Sequence, residues 1–451
     1  MNVWLMLVVF VWQGLYAASN PALPPLRGVL RQAQEERGST TPTLKKITVS
    51  PSEQQKKIEE QDEPKTAHGE PVEPRPDRGG KAVLLPIPTK DINGNTEITV
   101  NASLPLTGEM SVLGKQVLDG MTLFFNKLKQ RKNKGIIIKL NAQDDGFETV
   151  RTRENVTAMA EQSPLCMSLL STRSVYAVSD LVQQHKILAL FPLEGAVALR
   201  TAAYEDIVFF RPSYEQEING LVEYATRTLH KSKIGLFYEA SDSGDDALDA
   251  TQKVLKKYEL PLHAVGWYPA QTLQVERAAQ ELSVKAPNVI ICVAKARPTY
   301  NFVRYFVNKG LHKTVFMGLS GLDSIQDTLK KSRGIKLITS SVVPDPDTSD
   351  LPIVKEFRAD LQKYMGNKKP TTYALEAYIN AQLLYELLKI SPRPFTVDGL
   401  VKTIASLKKV NFKGLLLQYN PTTRTLSQQV HIFNDQKKQK PVVQQKKEGT
   451  A

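Results

Sequence analysis

Cysteine is nearly absent: Cys166 and Cys292 are the only two in 451 residues. Each lies in an apolar stretch, PLCMSLL and VIICVA. A disulfide would suit an exported protein, but the surroundings are those of buried free thiols. The six histidines, at positions 68, 185, 230, 263, 312 and 431, have no metal-ligand spacing, so neither a metal site nor a cofactor is expected. Enzyme signatures are missing too. No GxGxxG follows a strand, and GxxxxGK[ST], GxSxG and HExxH do not occur, which argues against nucleotide, serine-hydrolase and zincin chemistry. Aromatics make up 7% of the chain and never interleave with a dense Arg/Lys stripe, so nucleic acid is not an expected partner. After the N-terminus no stretch is long and apolar enough to cross a membrane.

What is present is mostly basic and strongly segmented. The net charge is +13, spread over the chain rather than gathered, and reads as solvated surface with room for contact to an anionic membrane surface or cell wall. Val3 to Val11 form an unbroken apolar run, followed by Ala17, Ala18 and Ser19. That order is expected of a secretory signal over residues 1–18, hence a periplasmic or surface location. Residues 19–95 hold 11 of the 27 prolines and are rich in Lys, Glu and Gln. They read as a disordered linker, as does the basic tail 435–451, because neither can bury enough apolar area to order itself.

Between them the pattern is regular. Short β-branched runs at 97–104, 135–142, 165–170, 186–191, 233–239, 262–267, 288–294, 314–319 and 336–343 alternate with amphipathic stretches. In 113–128, for example, Leu113, Val117, Met121, Phe124, Phe125 and Leu128 share one helical face. Such alternation predicts an α/β protein with parallel sheets covered on both faces, and its length predicts two lobes. Ligands of open α/β sheets sit beyond the carboxyl ends of the strands. The loops 104–114, 171–176, 191–196, 240–245, 294–300 and 318–323 are therefore the candidate site. Asp144–Asp145 read as turn and helix-capping carboxylates rather than an acid pair. SDSGDD at 241–246 lacks the EF-hand spacing and reads as a helix-capping loop.

At these residues the chain resembles a known family. ITVNASLPLTGEMSVLGKQVLDGMTLFFNKL looks like the opening of the type I periplasmic binding proteins, in the branch of the leucine/isoleucine/valine-binding protein. STRSVYAVSDLVQQHKILALFP, VFFRPSYEQE, TTYALEAYINAQLLYELL and GLLLQYNPTTRTL follow in the family's order. The resemblance covers residues 97–434. It implies two Rossmann-like lobes with a central cleft, joined by three crossings near Arg211–Ser213, Ser340–Val343 and Asn411–Gly414. Lobe 1 would be 96–212 and 344–411; lobe 2 would be 213–343 and 412–434.

Carried over residue by residue, the resemblance puts the carboxylate-holding hydroxyls at Ser171 and Thr172, with Arg173 beside them. Leu193 and Gly195 occupy the loop that faces a ligand ammonium, and Ser320 stands where the family has an acidic partner for it. The aromatic walls fall at Leu113, Ser243 and Lys295. An ammonium buried without a carboxylate is costly, and Lys295, Arg297 and Arg173 add positive charge. The expected ligand is therefore amino-acid-like or, better, anionic, with Glu194 as the remaining carboxylate nearby. The expected role is non-enzymatic capture by hinge closure for an importer, with an ABC permease as partner. The alternative is an envelope module that uses the same fold to contact a protein or the wall.

Overall fold

A computed structural model describes residues 89–90, 95–130 and 135–434. The expected signal segment, most of the linker and the basic tail lie outside them. The first stretch of chain builds one sheet. Strands β1 (Thr89–Lys90), β2 (Thr96–Leu104), β3 (Ile136–Asp144), β4 (Leu165–Met167), β5 (Leu188–Leu190) and β6 (Ile207–Val208) run with helices α1 (Ser111–Lys129), α2 (Thr149–Ala160), α3 (Thr172–Tyr176) and α4 (Ser179–Gln183). β3 pairs in parallel along the whole of β2, from Thr96↔Ile136 to Leu104↔Asp144. On the other side β4 meets β2 at Asn101, which leaves the start of that edge to β1. Thr89 and Lys90, inside the segment expected to be linker, pair there antiparallel with Glu97 and Thr96.

The chain then crosses to a second sheet. Helix α5 (Tyr214–Glu223) opens on a capping box, Ser213 with Gln216. Strands β7 (Ile234–Ala240), β8 (Ala264–Pro269), β9 (Val289–Val293), β10 (Val315–Gly318) and β11 (Leu337–Ser341) alternate with α6 (Asp242–Lys257), α7 (Glu276–Lys285), α8 (Ala296–Val307) and α9 (Gln326–Arg333). Helices α10 (Pro352–Met365), α11 (Thr372–Ile390) and α12 (Val397–Ala405), with the hairpin β12 (Val410–Phe412) and β13 (Leu415–Leu417), return to the first lobe, and β14 (His431–Phe433) closes the second sheet. Each lobe has the order second, first, third, fourth, fifth strand across its parallel part, so each has a topological switch point.

The nine strands expected from the sequence are all present. Most are buried on both faces, as β9 is through Ile290 and Ile291, whereas β8 buries one face and leaves Val265 and Trp267 exposed on the other. α1 packs its Val117–Met121–Phe124 face inward. α11 is buried nearly all round, which explains why its sequence is apolar on every side. The two helices approach closely because position 120 is glycine: a Cβ there would fall 2.1 Å from the Ala374 carbonyl oxygen.

The core changes from Phe210 to Ile218 and from Ile338 to Val342, at the first two crossings. The third differs. Asn411–Gly414 lie in the β12–β13 hairpin, with Lys413 and Gly414 as its turn, and Leu415, Leu417, Tyr419 and Leu426 pack into the first lobe's core. The chain enters the second core only at Val430. Cys166 and Cys292 are free, buried and in different lobes. Among the described residues no helix is long and apolar enough to cross a membrane, and no cluster of His, Cys, Asp or Glu could hold a metal.

Candidate functional site

A cavity of about 370 Å³ lies between the lobes. Both switch points open onto it: Leu170 to Arg173 follow β4, and Val293 to Ala296 follow β9. Of the residues expected at the site, Leu113, Ser171, Thr172, Arg173, Leu193, Ser243, Lys295 and Ser320 line this cavity. Gly195 and Arg297 do not. Arg297 is exposed on the second residue of α8. Gly195 lies under Tyr214: a Cβ would sit 2.4 Å from Cδ1 of that ring. Its lack of a side chain is what lets Tyr214 form the cavity wall.

The turn that precedes the cavity is fixed by carboxylates, as expected. Asp144 accepts the N–H groups of Leu106, Thr107 and Gly146 and the Thr107 hydroxyl. Desolvation would raise its pKa, but these bonds outweigh it and hold the carboxyl at about 2. Asp145 accepts from Phe147 N–H and from the Ser103 and Thr152 hydroxyls. The turn places Phe147 in a left-handed conformation, φ 67°, with its ring in the cavity wall.

Phe147 was not legible as a site residue, yet it bridges the lobes. The Arg173 guanidinium carbon lies 5.0 Å from its ring centroid and Lys295 Nζ, from the other lobe, 5.5 Å. Cation–π contacts of this kind contribute about 0.5–1 kcal/mol at partly exposed sites. Hydrogen bonds also span the cleft. Val197 N–H donates to Asp246 Oδ2 at 2.8 Å, and the Thr372 hydroxyl donates to Asp323 Oδ2 at 2.7 Å. The lobes are thus in contact around the cavity.

Its charges are mostly neutralised. Arg211, buried at the first crossing, makes a bidentate pair with Glu376, Nε to Oε1 at 2.9 Å. Desolvation opposes its charge, but Glu376 outweighs that and pushes the guanidinium up. Lys295 Nζ is 3.2 Å from Glu239 Oε1, so the positive charge expected there is balanced inside its own lobe. Arg173 and Asp242 also line the cavity, and neither is in an ion pair among the described residues.

Two further carboxylates lie behind the cavity wall, both fully buried. Glu194 Oε2 accepts Ala196 N–H at 2.7 Å and the Thr172 hydroxyl at 3.3 Å, while Oε1 has no partner. Burial raises its carboxyl to about 7 against the field of Arg200. It does not line the cavity, so it does not offer a ligand the missing charge. In the other lobe Glu217 accepts Ser320 N–H at 2.9 Å, the Ser320 hydroxyl at 3.1 Å and the Ser340 hydroxyl at 2.7 Å. The Thr172 hydroxyl, expected to grip a carboxylate, is shared between Glu194, at 3.3 Å, and the Tyr214 hydroxyl.

A sequence profile described as "Periplasmic binding protein" matches residues 97–439. No curated protein sequence matches the chain. Among solved structures, the fold is similar to a possible leucine/isoleucine/valine-binding protein from Rhodopirellula baltica SH 1, with TM-score 0.67 and 24% identity over 74% of this chain and 93% of that one. A solute-binding protein of an R. palustris ABC transporter, in complex with 4-hydroxybenzoate, has TM-score 0.67 at 18% identity over 76% and 94%. A leucine binding protein from Thermotoga maritima has TM-score 0.66 at 12% identity over 75% and 95%. With two doubly wound lobes around one cleft and a family profile spanning both, the chain belongs to the periplasmic binding protein family.

Proposed function

We propose that this chain is an extracytoplasmic solute-binding protein that captures a small organic acid between its lobes and presents it to an ABC-type importer. The observation that carries the reading is the cavity of about 370 Å³, a size suited to a small ligand, in which Arg173 is a cation with no carboxylate partner among the described residues. Leu113, Leu170 and Leu193 supply an apolar wall, so the ligand has an apolar body and an acidic end. Contacts such as Val197 with Asp246 support hinge closure as the means of retention. The structural neighbours with bound or named organic ligands, 4-hydroxybenzoate and leucine, have the same combination of groups. The apolar run at Val3–Val11 supports export.

Calorimetric titration of the full chain with a panel of small carboxylic acids tests this. A hydrogen bond to a charged group contributes about 1.5–3 kcal/mol, so Arg173→Ala should weaken the best acid roughly ten- to a hundredfold. Affinity unchanged by that substitution would overturn the assignment of Arg173. Binding of no acid, amino acid or peptide would overturn capture and leave the envelope-module reading.

A further inference from the structure

The net charge of +13 is scattered along the sequence, but the fold gathers part of it. In the second lobe β8, β7, β9, β10 and β11 lie side by side in parallel, with β14 antiparallel beside β11. Their amino ends form one row, at the end of the lobe opposite the cavity, which opens beyond the carboxyl ends. With β14 the sheet has six strands, so the row is about 24 Å long. The connections that reach it are residues 229–233, 258–263, 286–288, 308–314 and 334–336. They hold Lys231, Lys233, Lys309, Lys313 and Lys336 against one acidic residue, Glu259.

The last turns of α7 and α9 add Lys285 and Lys331. Lysine at the carboxyl end of a helix has a local explanation in the helix dipole. Lys233, Lys313 and Lys336 stand at strand starts, where no helix end calls for them. Lys233, Lys285, Lys309, Lys313, Lys331 and Lys336 are exposed, and none of the six is in an ion pair among the described residues. The corresponding connections before β4, β5 and β6 in the first lobe have the opposite balance. Residues 161–164, 184–187 and 201–206 hold Glu161, Glu205 and Asp206 against Lys186. The basic row is also where the chain continues beyond β14, since Lys336 Nζ donates to Asn434 Oδ1 at 3.3 Å. Residues 435–451 bring five lysines against Asp435 and Glu448.

We propose that the amino edge of the second sheet is a docking surface for a membrane rich in anionic phospholipid. An ammonium group is a compact point charge that demands no fixed geometry from its partner, which suits a fluid array of phosphodiester headgroups. A nucleic-acid site would be built from arginine forks and stacking rings. The five charged cations of the connections are all lysine, and Tyr258 is their one tyrosine, phenylalanine or tryptophan. Side chains that start from one row can reach one plane together, so their attractions add. A lysine close to an anionic bilayer strengthens attachment roughly fivefold. The contact leaves the cavity clear, because the two lie at opposite ends of the same strands. It holds whether or not the cleft captures an acid.

The test is co-sedimentation of the full chain with two kinds of vesicle, phosphatidylcholine alone and an equal mixture of phosphatidylglycerol and phosphatidylcholine. The apolar run at Val3–Val11 can hold the chain to either, so the readout is the difference between them. Binding to the mixed vesicles should be stronger at 50 mM NaCl and should lose that advantage by 500 mM. Replacing Lys285, Lys309, Lys313 and Lys331 together by Gln should weaken binding to the mixed vesicles a hundredfold or more. The same four changed to Arg should bind like the parent. Replacing Lys115, Lys186, Lys402 and Lys408 of the first lobe by Gln removes the same net charge elsewhere and should cost less than tenfold. Equal losses from the two Gln variants would overturn the inference, because attachment would then follow net charge and not this edge. Equal binding to both kinds of vesicle would also overturn it. Tighter binding of a DNA duplex or of soluble polyphosphate than of the mixed vesicles would overturn the assignment to lipid.

Discussion

Glu194 and His431 should give this protein two opposed pH dependences that hide one another. Burial holds the Glu194 carboxyl at about 7 instead of 4.5, and burial holds the His431 imidazole at about 4 instead of 6.5. Each has a buried atom without a partner, Oε1 and Nε2. One pKa unit corresponds to about 1.4 kcal/mol, so each displacement represents about 3 kcal/mol of stability that comes and goes with pH. The directions differ. Native Glu194 keeps a proton that the unfolded chain has lost, so stability falls as pH rises from about 4.5 to about 7. Native His431 refuses a proton that the unfolded chain accepts, so stability falls as pH drops from about 6.5 to about 4. Between 4.5 and 6.5 the two slopes cancel, and the stability of the native protein should be nearly flat with respect to these groups. Glu194→Gln removes one slope. Urea unfolding at half-unit steps from pH 4 to pH 8 should show the variant gaining on the parent by about 3 kcal/mol across the window, whatever constant offset the amide introduces. His431→Leu should tilt the curve the other way. A difference between parent and Glu194→Gln that does not change with pH would refute the reasoning, because a carboxyl ionised in both states has no such linkage.

Two further outcomes are tied to named contacts. Gly195→Ala puts a methyl group 2.4 Å from the Tyr214 ring, and such overpacking costs about 1–3 kcal/mol; thermal unfolding should show the loss, and an unchanged midpoint would mean that the ring is free to move. Burial raises the thiol of Cys166 to about 12 and pushes that of Cys292 up as well, so neither should react with an alkylating reagent at pH 8 in the native protein, and both should react after unfolding. Labelling of the folded chain, read by mass spectrometry, would contradict their burial.

The fold was legible because most of its strands are buried on both faces. A run such as VIICVA can only be a central strand of a covered sheet or a core helix segment, and its length decides between them. The third crossing was misplaced for a related reason. VNFKGLLLQYN alternates and turns like a strand that passes between lobes, and nothing local distinguishes that from a hairpin. What decides is tertiary: Leu415 and Leu417 find the first lobe's core, and Lys413 bonds Glu356 there. The short β1 was unreadable from composition, since its pairing depends on how much of the β2 edge β4 leaves uncovered.

The site divides along the same line. Its loops could be found from topology alone, because ligands gather beyond the carboxyl ends of parallel strands. Its electrostatics could not, because a charge is defined by its partner. Lys295 looked like a free cation until Glu239 came within 3.2 Å of it, and Thr172 looked free for a ligand until Glu194 and Tyr214 closed on its hydroxyl. Phe147 carried the only local hint, the Asp-Asp-Gly-Phe turn after a strand end, in which two carboxylates fasten the backbone and leave the ring over the cleft. The residues that give this cleft its character are therefore largely behind its wall. Glu194, Glu217 and Glu376 are fully or almost fully buried and determine what Thr172, Ser320 and Arg211 present. A comparison of cavity-lining residues alone would class this protein by its hydroxyls and cations. Behind that lining Glu217 accepts the Ser320 hydroxyl and Glu376 balances Arg211, while Glu239, itself in the lining, balances Lys295, which leaves Arg173.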